Sequence, residues 1–414
     1  MGGAELPGEV GSWLWRGLPP GIDGLPLSGV PAQGWTVADL TTPVATLSHT
    51  ALSHNQRTLD RWAGERGALL APHVKTTMSP ELLRLQLDAG AWAVTAANPW
   101  QAAVMAASGA RRVMIANEVA DARDLARVLA DAEVWVFVDS PGAVAVVAEA
   151  GRLSRTEVPV VLEVGFPGGR AGVRTLAAAS RTAQACLAPR AAGTPGVRLA
   201  GYGLFEGILA TGRTPTDLAK VGTALERAVD LVEGVAARYP VPDPVVTGGG
   251  SMFPDLVADA LGGLARSLAG RLVLRPGCYL VHDHGSYAHA QRDAPWLDLR
   301  PALTVRTTVL SVPEPGLALL DAGKRDFALD GRDAPILELT RGGESVPWPG
   351  TAAVRRSNDQ HSYLEWTPAG TDAVLVGDVV RLGVSHPCLT LQLWRALPVL
   401  DDDGVVVSVA RTFF

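Results

Sequence analysis

At residues 71–78 the chain reads APHVKTTM, with His73 and Lys75 two positions apart at the end of an apolar run. Lysine is rarely buried without a partner or a function. An amine held at a strand end and partly desolvated has its pKa lowered, and then forms a Schiff base with a carbonyl. The same letters also fit a strand that has ended, with Lys75 reaching solvent. A second stretch, VVTGGGSMFP at 245–254, leaves successive backbone N–H groups unobstructed, a nest suited to phosphate. It equally fits a tight Gly-rich turn with no ligand. It lacks the Lys-Ser/Thr of a P-loop, which disfavours nucleotide hydrolysis. A strand-end lysine together with a phosphate nest points to pyridoxal 5'-phosphate (PLP), whose aldehyde takes the lysine and whose phosphate takes the nest.

A third group is SHPC at 385–388. His386 and Cys388 are i, i+2, so on an extended chain they point the same way. Imidazole plus thiolate suits Zn²⁺, and two protein ligands leave positions open for substrate and water. A buried cysteine beside a structural histidine is the competing reading. VHDHGSYAH adds His282, His284 and His289, of which the His-x-His pair offers a rival metal position or a set of unliganded rings.

Such residues need a frame. From about residue 43, β-rich runs alternate with helical windows: VATL at 44, ALLAPHV at 68, WAVTAA at 92, RVMIAN at 112, VWVFVD at 134, PVVLEV at 159, LAGYGLF at 199 and PVVTGGG at 244. Ser79-Pro80 and Asn98-Pro99 read as helix starts, Gly90 and Gly109 as stops. Eight β–α units match a (β/α)8 TIM barrel, whose chemistry lies at the carboxyl ends of its strands; a doubly wound open sheet is the alternative. Beyond about residue 270 the runs are strand-like with turns between them. The expected architecture is therefore α/β, a PLP-binding barrel over 41–265 and a mostly β C-terminal domain over 266–414. Residues 1–40 are expected to join the β domain.

The 414 residues are 47% hydrophobic and 19% charged, with a formal net charge of −6. That is a globular composition with no basic footprint for nucleic acid. Three cysteines, Cys186, Cys278 and Cys388, form no disulfide framework. With no signal peptide and no run of membrane-spanning length, a cytoplasmic protein is expected.

The ordered set PHVKT at 72–76, GGRAGV at 168–173, LAGYGLFEG at 199–207, VTGGGS at 246–251, RPGCYLVHD at 275–283, DAGKRDFALD at 321–330 and GDVVRLGVSHPC at 377–388 resembles the D-serine dehydratase and D-threonine aldolase family. These are fold-type III PLP enzymes sharing the alanine-racemase barrel. The resemblance implies that Lys75 is the Schiff-base lysine, that Arg170 lies near the cofactor's ring oxygen, and that Gly249, Gly250 and Ser251 form the phosphate loop. Tyr202 and Phe205 fall in the segment that supplies the pyridine-nitrogen partner. Tyr279 and Asp283 are implied to line the substrate side, as is His361, although Asp359-Gln360-His361 departs from the family's acidic-acidic-His pattern. His386 and Cys388 resemble the dehydratases' zinc pair, whereas the aldolases show His-x-Asp with manganese.

The aldolases tend to carry Tyr-Glu-Gly-His where this chain has Phe205-Glu206-Gly207-Ile208. That departure favours zinc-assisted elimination of a D-β-hydroxy amino acid such as D-serine to a 2-oxo acid and ammonia, with the metal pair presented to the cofactor pocket. Retro-aldol cleavage to glycine and an aldehyde is the alternative, and a non-catalytic PLP carrier or regulator is an alternative of another class. The resemblance also implies a homodimer.

Overall fold

The computed structural model describes residues 10–187, 196–292, 297–329, 333–348, 350–367 and 373–414. The chain forms two compact units. One comprises Leu59–Met78 and Leu83–Gly277; the other comprises the described chain up to Thr58, with Ser79–Leu82 and Cys278–Phe414.

Strand β1, Val44–Ser48, is buried along its first four residues. It pairs antiparallel with a later strand (Val44 opposite Arg306) and parallel with another (Leu47 opposite Val399), so it belongs to the second unit's sheet. This corrects the expectation that VATL opens the barrel. A short, wholly apolar run marks a buried strand without revealing which sheet buries it.

The first unit holds an 8-stranded parallel sheet. In chain order its strands are β2 (Leu69–Leu70), β3 (Val94–Ala96), β4 (Arg112–Ile115), β5 (Glu133–Val138), β6 (Val158–Val164), β7 (Val197–Leu204), β8 (Val245–Gly248) and β9 (Arg271–Leu274). Arg271–Leu274 therefore takes the eighth place, pairing with both β8 and β2. On the other side β2 meets β3 through irregular bonds. The Trp92 amide donates to the Leu70 carbonyl at 2.8 Å, and the Thr95 amide to the Pro72 carbonyl at 2.8 Å. The ring of strands is thus nearly closed, a TIM-like barrel.

Its interior is filled by Ala71, Ala93, Met114, Trp135, Phe137, Val161, Ala200, Val245 and Val273. Large and small side chains alternate, as a packed barrel core requires. Gly203 shows the constraint: a Cβ there would lie 2.5 Å from the Phe137 ring. The outer helices start where the sequence marks them. Asn98 caps Pro99–Ala107 by accepting the Gln101 amide at 2.9 Å, and Thr214 with Asp217 forms a capping box on Pro215–Ala236.

The second unit carries a 10-stranded sheet. Besides β1 it contains β10 (Leu303–Glu314), β11 (Leu317–Leu320), β12 (Ile336–Arg341), β13 (Glu344–Val346), β14 (Thr351–Ser357), β15 (Ser362–Thr367), β16 (Val379–Gly383), β17 (Ala396–Leu400) and β18 (Val406–Arg411). Its central path runs β13-β12-β16-β10-β1-β17-β18, with β11, β15 and β14 branching from β10. Leu18, Ile22 and Val30 of the N-terminal segment pack against Ala396, Val406 and Val409. Among the described residues, no helix is long and apolar enough to cross a membrane.

Candidate functional site

At the carboxyl ends of the barrel strands lies a cavity of about 230 Å³, lined by His73, Lys75, Glu163, Arg170, Phe205, Ile208, Gly249 and Arg275 among others. Lys75 sits in the single turn Val74–Thr76 that follows β2. That turn packs closely on the end of β9: a Cβ at Gly277 would lie 2.8 Å from the Thr76 hydroxyl and 2.9 Å from the His73 carbonyl. Burial, then the charges of Lys75 and Arg275, hold the His73 imidazole well below its usual pKa, so it is neutral. Its Nδ1 has no hydrogen-bond partner among the described residues.

Two charged groups in this cavity escaped the sequence reading. Arg275, at the end of β9, is 3% exposed and donates to the Thr247 hydroxyl at 2.5 Å and the Leu204 carbonyl at 2.8 Å. Burial lowers its pKa to about 10, partly offset by Glu163 and Glu206. Glu163, in β6, is pushed up to about 8, first by burial and then by the neighbouring Glu118 carboxyl. Both carried the signal that singled out Lys75, a charged residue in or just after an apolar run, in VLEV and LVLR.

The glycine loop differs from a bare anion nest. The Gly249 and Gly250 amides both donate to the buried carboxylate of Glu206, at 3.1 and 3.0 Å. Gly249 lines the cavity at φ +110°, a backbone conformation that favours glycine. Gly250 and Ser251 are half-buried beside it. Arg170 is exposed on the cavity rim, its guanidinium 5.1 Å from the Phe205 ring centroid. Tyr202, expected beside the cofactor, does not line this cavity. Its side chain leaves β7 toward the helical layer, with the hydroxyl 3.5 Å from the Tyr239 carbonyl, and burial raises its pKa to about 12. Alternation along the strand puts Tyr202 and its neighbours Gly201 and Gly203 on opposite faces.

The second unit holds the residues expected to ligate a metal. The ligand atoms of Cys278, His386 and Cys388 all lie within 4.8 Å of one another, with the two sulfurs 3.6 Å apart. His386 is extended and caps the short helix Pro387–Leu391, so Cys388 falls in that helix's first turn. The pair thus converges across a helix start, not along the extended chain expected from i, i+2 spacing. Cys278 was missed as a partner because 110 residues separate it from Cys388.

The remaining expected residues are placed as follows. Tyr279 is buried and donates to the Gln56 side-chain oxygen at 2.8 Å. One Asp283 oxygen accepts the Gly285, Tyr287 and Ala288 amides, while the other has no partner among the described residues. Burial raises the Asp283 pKa to about 6. His361 is exposed between β14 and β15. Burial holds His282 and His284 down to about 4, and neither belongs to a metal-type group among the described residues.

Both donor sets fit the groups they were expected to hold. An amine on a roomy cavity flanked by a buried guanidinium and an unsatisfied imidazole nitrogen suits PLP. Two sulfurs and an imidazole suit a borderline-soft divalent cation.

Residues 47–253 match the family described as "Alanine racemase, N-terminal domain", and residues 302–400 match "Putative serine dehydratase domain". The chain is 29% identical over 383 residues to a D-threonine aldolase from an Arthrobacter species, covering 92% of this chain and 94% of that protein. It is 26% identical over 410 residues to the D-threo-3-hydroxyaspartate dehydratase of Delftia sp. strain HT23, covering 91% and 98%. The crystal structure of D-threonine aldolase from Filomicrobium marinum superposes with a TM-score of 0.77 at 24% identity, covering 92% of this chain and 96% of that one.

Proposed function

Because the chain belongs to the alanine-racemase-type family of fold-type III PLP enzymes and carries a serine-dehydratase domain after its barrel, we propose that it is a PLP-dependent lyase acting on a D-β-hydroxy amino acid. The observation that carries this reading is Lys75, held in a cavity at the carboxyl ends of the barrel strands beside Arg275 and Glu163. When bound, PLP supplies an electron sink for charge developing at the substrate α-carbon. The Lys75 amine would hold the cofactor and, once the substrate amine has displaced it, would accept the α-proton at Nζ. Arg275 keeps a fixed positive charge on the cavity wall. Glu163 retains a proton there up to about pH 8. His386 and Cys388 would hold a divalent cation, which would supply Lewis acidity toward a β-hydroxyl.

Elimination to a 2-oxo acid and ammonia is the favoured outcome. Retro-aldol cleavage needs a base for the hydroxyl proton, and Ile208 on the cavity wall is apolar. The Glu206 carboxylate is engaged by the Gly249 and Gly250 amides. Cleavage to glycine and an aldehyde is the second reading, supported by the aldolase activity named for the Arthrobacter relative.

The experiment is a product assay with D-serine, D-threonine and D-threo-3-hydroxyaspartate, before and after EDTA. A 2-oxo acid that disappears with chelator and returns with zinc supports elimination. Glycine as the main product establishes the aldolase reading instead, and no turnover of any of the three defeats both.

A further inference from the structure

We propose that Cys278 is a third protein ligand, so that the metal occupies a two-thiolate, one-imidazole site that selects zinc over manganese and magnesium; this rests on the reading of His386 and Cys388 as metal ligands. Two thiolates bound at about 2.3 Å to a tetrahedral zinc stand roughly 3.8 Å apart. The Cys278 and Cys388 sulfurs are 3.6 Å apart already. The backbone holds Cys278 in place, since its carbonyl accepts the His282 amide at 2.6 Å and closes a tight turn.

Tyr287 braces two of the three ligands. Its hydroxyl hydrogen-bonds the Cys278 sulfur, and its ring stands edge-on to the His386 imidazole with centroids 6.1 Å apart. Partners of this kind orient metal ligands and fix their donor atoms.

Three consequences follow for the ion. Two thiolates neutralise its charge and favour zinc, a soft-ligand metal, over manganese and magnesium, which prefer oxygen. Three protein ligands leave one open position on a tetrahedral ion, the pattern of a catalytic zinc site. A substrate oxygen would take that remaining position. Cys186 takes no part, since it is buried in the barrel-unit helix Leu176–Cys186.

The test is zinc X-ray absorption on the purified wild-type holoenzyme, with metal content measured in parallel. Two sulfur scatterers per zinc are expected, falling to one in Cys278→Ser. That variant is also expected to lose zinc to a chelator by more than the ~10–100-fold that removal of an outer partner costs, while its lysine-bound cofactor absorbance reports an intact barrel. One sulfur per zinc in the wild type, lost in Cys388→Ser and unchanged in Cys278→Ser, overturns the three-ligand site and leaves the His386–Cys388 pair standing. Zinc binding that is unaffected by His386→Ala overturns the pair and the proposal together.

Discussion

The cavity around Lys75 is assembled from single side chains at the ends of barrel strands from β2 to β9, whereas the sulfur–imidazole cluster draws its atoms from two short segments of the other unit. In the cavity, burial sets the protonation of fixed side chains: a buried guanidinium stands near two carboxyls that burial drives toward their neutral forms. In the cluster, two thiols and an imidazole gather three soft donor atoms with no fixed charge among them. The first arrangement suits a large group gripped at several points and tied covalently at one. The second suits a small cation, whose charge would be met by the thiols releasing their protons. The two should therefore fail separately.

The largest expected effect is that of Lys75→Ala. Turnover should fall by roughly three orders of magnitude or more, with loss of the lysine-bound cofactor absorbance. Zinc content should be unchanged, and loss of both would show that the two regions depend on one another. His386→Ala should do the reverse, abolishing metal binding and lowering turnover by about two orders of magnitude or more while the cofactor absorbance persists.

Glu163→Gln tests the charge balance of the cavity through stability. In the folded chain Glu163 keeps its proton up to about pH 8, while the unfolded chain releases it near 4.5. Its contribution is therefore whole below pH 4.5 and is lost as pH rises through about 8. Denaturant titrations at pH 5 and pH 8 should show the variant gaining on the wild type at the higher pH, by on the order of a few kcal/mol. An equal difference at both pH values would mean the carboxyl is ionised throughout. The smallest effect belongs to Tyr202→Phe, which removes a long contact to the Tyr239 carbonyl. Stability should change by less than about 1 kcal/mol, with cofactor absorbance intact.

The same contrast explains what was legible in the sequence. The barrel was readable because each β–α unit announces itself locally, in helix starts such as Asn98-Pro99 and in short apolar runs. Membership of a sheet is not local, so β1 was placed in the barrel and β9 outside it. Lys75 and the His386–Cys388 pair stood out because residue type clashed with its surroundings or repeated at close spacing. Arg275 and Glu163 carried the same local signal as Lys75, a charge in or just after an apolar run, whereas Cys278 becomes meaningful only when distant segments meet. Tyr202 was misplaced by one step of strand alternation, which sends a side chain to the opposite face.

Glu206 bears on what the glycine loop can offer an anion. Its carboxyl takes the Gly249 and Gly250 amides at 3.1 and 3.0 Å, so those two donors are satisfied within the protein. An anionic group at this loop would compete with a buried side chain for them or be held by other donors.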